Sequence, residues 1–536
     1  MSSKIPSLFD LSVRRLSQTA LANLKVERDH LRKALLECRP IRVVVPATLN
    51  YGHQGNSVHF VRRLVELGAT SIEIVYDDKE DALGVSNSVK LLKLMPEATA
   101  ENVSGTGVAR IHQARVNFVK LPLGGSLNAL SDTELAVSGG HDLAKLVAPS
   151  HWKAESFLCL QPFAYEKKGL PAAQNVLTTA SGSTVLDYVY KPFYCEDPGA
   201  SKVSIETLDL ELTNLGPKGA FLRRLLACAE GDTIELCPMY FSAGRTMSWY
   251  TWIYLGLLLG LRAHQRARKP PTGTVLLSFV SFATPTRTHA QELSTLEAFV
   301  KGNSNIWQQV QKFAKHYPNA ANIFTTLKGG SGSPERFEDL EENVVFFNLD
   351  DIKDHHIDPM ISELTSTEAA GKICVLSTER VPSPVFWRFF AAAHLPCIFE
   401  GEGSAAPLCN LGKPFLHLYS YEWAEKNQDA LDLLYPDPEL QPIRYGQSSH
   451  VELDEMRRFC SNVVWALTPE RGYDTTGLKP SDLLPVEQRL AAFLNDVTTP
   501  GTYLRQYFHV LRAAFHNEGE DKVLQGLRQW LAQRKK

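Results

Sequence analysis

Two short segments carry residue types suited to a phosphorylated ligand. In the first, Gly401, Glu402, Gly403 and Ser404 follow an apolar run at 395–399 and precede a short helical stretch. A Gly stop at Gly412 and a second apolar run at 415–418 complete it. A strand, an acidic Gly-Ser turn and a helix in that order offer backbone N–H groups, a hydroxyl and a carboxylate at one helix N-terminus. The N–H groups and helix dipole suit phosphate, and the carboxylate suits ribose hydroxyls. In the second segment, the turn 50–55 and the residues after it supply Gly52, His53, Gly55 and Asn56. Glycines there allow close backbone approach to a ligand, and an imidazole titrates near physiological pH, as a general base must.

The elements needed to position these residues can be read around them. Ile41–Val45 reads as a buried strand, the turn 50–55 leads into a helix ending at Gly68, and Ser71–Tyr76 is the next strand. That β-turn-α-β order begins a parallel, doubly wound sheet. Further strands are expected at 116–121, 134–138 and 156–160, after an N-terminal helix within 11–38. Residues 163–246 read as an irregular insertion, with an alternating strand at 203–213 and an amphipathic helix near 221–229. The basic, Pro-containing stretch 266–273 marks the expected domain boundary. A second β/α series follows, with strands at 274–280, 322–326, 344–348, 373–377, 397–399 and 415–418. Its helices are expected at 289–301, 307–316 and 384–393. The expected organisation is therefore an α/β protein of two Rossmann-like lobes, 1–265 and 274–484, with a helical C-terminal segment, 485–536.

Composition narrows the function. A chain of 536 residues is too long for one core, and 44% hydrophobic with 21% charged residues is ordinary for a globular protein. A formal charge of −3 argues against a nucleic-acid partner. Scattered cysteines without CxxC pairs give no metal-ligand spacing and suit a reducing, cytoplasmic setting, and residues 1–10 carry no signal-peptide apolar core. The apolar stretch 247–261 is about 15 residues, short of the roughly 20 that span a bilayer. It reads as a buried helix, with peripheral membrane contact the alternative.

Two such lobes joined by one linker resemble glycosyltransferases of the GT-B type. The turn 50–57 resembles the Gly-rich loop of the first GT-B lobe, and the strand 277–280 ending in Ser281 resembles the opening of the second. The segment from Gly401 through Leu416, with its Ser eight residues before Gly412, resembles the donor-nucleotide motif. Within that type, both segments are similar to the arginine rhamnosyltransferases that modify elongation factor P. The resemblance implies a nucleotide-sugar donor as co-substrate, a protein as acceptor, and neither metal nor cofactor; a nucleotide-sugar epimerase of the same fold and a catalytically degenerate, partner-binding GT-B scaffold are the alternatives. It makes Glu402 and Ser404 donor contacts, with Gly401 and Gly403 in the same loop. Capping of a helix by Ser404 is the plain alternative.

The chain departs from that family at one position. Where the rhamnosyltransferases carry an acid in the first-lobe loop, this sequence has His53. His53 is either the base for inverting attack, a ligand to sugar or phosphate, or a structural part of the loop. Asp142 is the acidic alternative or helper, or else part of a helix start. Arg245 reads as a solvent-facing residue or helix cap, with diphosphate contact the alternative, and Thr284 and Arg287 are further candidates for phosphate contact. Asp350, Asp351, His355 and His356 cluster in sequence without metal spacing and read as a solvated loop.

Overall fold

The fold is taken from a computed structural model. It describes residues 18–45, 52–80, 84–95, 97–121, 130–139, 149–160, 176–186, 205–241, 247–267, 273–280, 289–301, 336–379, 381–399, 407–408, 411–417, 486–502, 504–505, 508 and 522–534.

The first sheet is built from α1 (Gln18–Glu37), β1 (Ile41–Val45), α2 (Gly52–Glu66), β2 (Ser71–Tyr76), α3 (Asn87–Leu94), α4 (Ala100–Val103), β3 (Val108–Ile111), β4 (Ala114–Lys120), β5 (Thr133–Ser138), β6 (Ala154–Cys159), β7 (Val176–Thr179) and β8 (Gly182–Val185). Its strand order is β3-β4-β2-β1-β5-β6-β7-β8. The strands β4, β2, β1, β5 and β6 run parallel, and β3, β7 and β8 add antiparallel edges. Central strands of a parallel sheet are covered on both faces, which is why β1 is buried along its whole length. Val43 and Val45 face one core with α1 and α2, while Val44 faces another with Trp152 and Phe157. Arg42 is the exception inside β1. It is wholly buried, paired with Glu73 at 2.6 Å, and it donates to the Ser131 carbonyl at 2.8 Å and to that of Trp152.

The second sheet takes its elements from α5 (Ile205–Asn214), α6 (Pro217–Glu230), β9 (Ile234–Phe241), α7 (Met247–Ala267), β10 (Gly273–Val280), α8 (His289–Val300), α9 (Arg336–Asn343), β11 (Val344–Asn348), α10 (Asp354–Thr365), β12 (Ile373–Thr378), α11 (Ser383–Ala391), β13 (Cys397–Phe399) and β14 (Phe415–His417). The order is β11-β12-β10-β9-β13-β14, parallel at every pairing. Two helices follow, α12 (Val486–Thr498) and α13 (Lys522–Arg534).

Three expectations change. First, β9 pairs with β10 over its full length, so residues 205–267 belong with the second sheet and are not an insertion in the first. The stretch 266–273 only joins α7 to β10 within one β-α-β unit; the chain passes between sheets after Leu186 and before Ile205. Second, the strand expected at 203–213 is helix α5. Its alternating leucines mimic a strand, but Leu208 and Leu212 pack inward at helical spacing while Leu210 is 62% exposed. Third, the C-terminal helices do not stay together. Leu490, Phe493, Leu494 and Val497 of α12 join the core of the second sheet, whereas Val523, Leu524, Leu527 and Trp530 of α13 join that of the first. The expected strand at 322–326 and helix at 307–316 lie outside the described residues.

The apolar stretch of α7 is a core helix. Residues 253–261 are buried throughout, and among the described residues no helix is long and apolar enough to cross a membrane. Its close packing uses a glycine: a Cβ at Gly260 would fall 2.3 Å from Leu490 Cδ2 of α12. Gly260→Val is expected to overpack this contact and cost about 1–3 kcal/mol. Urea unfolding checks it, and an unchanged midpoint would show that α12 yields freely.

Candidate functional site

Ligands of open α/β sheets bind outside the carboxyl ends of strands, where the strand order reverses. In the first sheet the reversal lies at β1, which has β2 on one side and β5 on the other, with Val44 opposite Ser138. In the second it lies at β9, flanked by β10 and β13, so that Tyr240 stands opposite both Phe279 and Phe399.

The residues picked out in the sequence follow those same strands. His53 and Gly52 open α2, the helix after β1; Asp142 comes four residues after the end of β5. Ser281 directly follows β10, and Gly401 to Ser404 come within five residues of the end of β13. Arg245 likewise follows β9. Asp142, Arg245, Ser281, Thr284, Arg287, Gly401, Glu402, Gly403 and Ser404 lie outside the described residues.

Around α2 the structure alters one detail. Gly52, His53 and Gly55 are helical rather than part of a preceding turn, so the helix starts four residues earlier than the Gly pattern suggests. A Cβ on Gly55 would meet nothing within 4 Å, so packing within the protein does not require glycine there. The first turns of α2 bury polar side chains: Gln54 and Ser57 are essentially inaccessible and Asn56 is 6% exposed. A helix serving only to pack would bury apolar residues at these positions. Farther along α2, burial and then the neighbouring Arg62 push the His59 imidazole down to about 4, so it is neutral at physiological pH.

The segment after β2 adds a polar corner that the sequence reading missed. Asp77, Asn87 and Lys90 are each less than 9% exposed. The Asp78 carboxylate accepts from the Ser88 N–H at 2.7 Å and pairs with Lys120 at 2.9 Å. Ser86 caps α3 by accepting from the Val89 N–H. The signal available in the sequence was the pair Asp77-Asp78 at the end of an apolar strand, followed by a Ser-Asn-Ser run.

In the second sheet, the latter half of the 401–416 segment is structural. Gly412 has φ +65°, and the Lys413 N–H returns to the Leu408 carbonyl at 3.2 Å, a Schellman-type helix stop. The Lys413 ammonium donates to the Ala393 carbonyl at 3.0 Å, just beyond α11, and burial pushes its pKa down.

Asp350, Asp351, His355 and His356 are all exposed, as expected, but Asp350 is tied to its neighbours. It pairs with Lys218 of α6 at 2.6 Å and accepts from Thr378 Oγ1 at 3.0 Å and the Glu379 N–H at 2.8 Å. Burial works to raise its pKa, but these donors together hold the carboxyl below the ordinary carboxylate value. A lowered folded pKa means stability that is present above the unfolded value, near pH 4, and lost as pH falls through the folded one. The melting-temperature advantage of the native protein over Asp350→Asn should therefore be full at neutral pH and shrink below about pH 4. A difference independent of pH would contradict this role.

Among the described residues no group of His, Cys, Asp and Glu side chains is arranged to hold a metal ion. The buried thiols are poor nucleophiles: burial pushes Cys159 and Cys397 up to about 12 and Cys38 up to about 11. No protein-family model matches the chain, and no curated protein matches it in sequence.

Proposed function

We propose that this protein is a glycosyltransferase of the GT-B type, moving a sugar from a nucleotide donor to an acceptor. The observation that carries the reading is that both motif-bearing segments directly follow strands bordering the reversal points of two separate parallel sheets.

In this reading the second lobe holds the donor. Glu402 accepts from the ribose or base, and Ser404 with the N–H groups after it meets the diphosphate, whose charge grows as the sugar leaves. His53 acts at the first lobe. It accepts the proton of an acceptor hydroxyl while that oxygen bonds to the anomeric carbon, and the bond to the diphosphate breaks with its electron pair leaving on the phosphate oxygen. Attack opposite the leaving group inverts the anomeric centre. Asp142 is proposed as helper to His53, and Ser281 as a further contact on the diphosphate. No metal is required, and a protein acceptor follows from the resemblance of the two segments. Among the described residues the cysteines form no disulfide and most are buried, which fits a cytoplasmic setting.

Incubation with a panel of nucleotide sugars tests the reading directly. Release of a nucleoside diphosphate from one donor, lost in Glu402→Ala, is expected. Release at an unchanged rate in that variant would refute the donor site.

A further inference from the structure

Glycine in a helix interior is destabilising relative to alanine, because it loses the most backbone freedom on folding. Where one is kept there, something close by commonly excludes a Cβ. Three glycines of this protein follow that rule. A Cβ on Gly219 of α6 would fall 1.7 Å from the Leu212 carbonyl oxygen, on Gly260 of α7 2.3 Å from Leu490, and on Gly526 of α13 3.0 Å from Leu158. Gly55, the fourth residue of α2, breaks it. Its backbone is helical with no positive φ, and a Cβ there would meet nothing within 4 Å. Neither backbone conformation nor packing within the protein accounts for the missing side chain.

The open space is reachable from outside. Gln54, Asn56, Ser57 and Val58 are at most 6% exposed, and Gly55 alone of this run is partly exposed. Water in that space gives no reason for glycine, since an alanine methyl would fit and would stabilise the helix. A bound molecule that closes on the Cα does give one. The position says which kind. Gly55 lies in the first turns of the helix after β1, at the carboxyl end of the sheet beside its reversal point, where ligands of such sheets bind. The positive end of the α2 dipole is there, and it favours an anionic group.

We infer that Gly55 is a specificity-determining contact residue of the first-lobe site, its bare Cα leaving room for the diphosphate-bearing end of the nucleotide-sugar donor. The inference rests on the glycosyltransferase reading. It adds to that reading a donor contact from the first lobe.

Thermal unfolding of the free protein and release of nucleoside diphosphate test it together. Both are measured on native protein, Gly55→Ala, Gly55→Leu and Glu402→Ala, with subsaturating UDP-glucose, GDP-mannose and dTDP-rhamnose as donors. Gly55→Ala should raise the melting temperature by about 1–4 °C. It should also slow release from the donor that is used at least about tenfold, the scale of overpacking one close contact. Gly55→Leu, also a good helix former, should melt no lower than the native protein and slow release further. Lost activity without lost stability marks a ligand contact, because a structural role would lower both. A native rate in both Gly55 variants, with release abolished in Glu402→Ala, overturns the role of Gly55 and leaves the transferase reading intact. A lowered melting temperature in Gly55→Ala also overturns that role, since the Cβ would then meet protein. No release from any donor by the native protein overturns both.

Discussion

Deleting residues 522–536 is expected to unfold the first lobe and spare the second. Helix α13 supplies Val523, Leu524, Leu527 and Trp530 to the first-lobe core, each at most 2% exposed. At roughly 1.5–3 kcal/mol per buried side chain, their loss removes on the order of 10 kcal/mol. That equals the whole net stability of a typical domain, about 5–15 kcal/mol. Polar contacts add orientation: Arg534 reaches Glu37 of α1 at 3.3 Å and Glu134 of β5 at 2.7 Å, and its guanidinium lies 5.6 Å from the Trp530 ring. Amide exchange by mass spectrometry reads the outcome by segment. Protection should vanish in β1, β5 and β6 and persist in β9, β10 and β12. Retained protection in the first sheet would mean α13 is dispensable.

His53→Ala should lower the transfer rate by about 10²–10⁴-fold, the usual contribution of a positioned general base. Nucleotide affinity should stay near the native value, because His53 is not among the proposed donor contacts. The native rate should fall on the acid side as the imidazole protonates, and the variant's remaining rate should lack that limb. His53→Gln separates base from ligand: it can hydrogen-bond a sugar but cannot take a proton, so it should be as slow as alanine. A glutamine variant near native speed would reduce His53 to a binding group and move the search for a base to Asp142.

The parallel cores were legible in the sequence for a physical reason. Strands β1, β10 and β12 are buried along their whole length and so appear as mainly apolar runs, broken in β1 by Arg42, while β2 is buried apart from Ser71 and Glu73. Short helices were harder. The residues of α5 alternate closely enough to pass for a strand, and only packing against α6 settles their period. The boundary misled because a basic, Pro-containing stretch looks like an interdomain linker whether it joins lobes or merely α7 to β10. Strand β9 could not be assigned to a sheet from sequence, since pairing with β10 is a long-range choice. For the candidate site, glycines and the strand-turn-helix order pointed to the carboxyl ends of β1 and β13, beside the points where the strand order of each sheet reverses. The burial of Asn87 was invisible, because an asparagine beside a Ser cap is ordinary at a helix start.

The central claim is a donor-nucleotide site after β13, and a thermal-shift titration with nucleoside diphosphates and their sugars tests it most directly. A ligand that binds only the folded state at a hundred times its Kd adds about 2.7 kcal/mol of stability. One nucleotide should raise the melting temperature selectively, and Glu402→Ala should abolish that rise. No shift with any nucleotide at millimolar concentration would contradict the account.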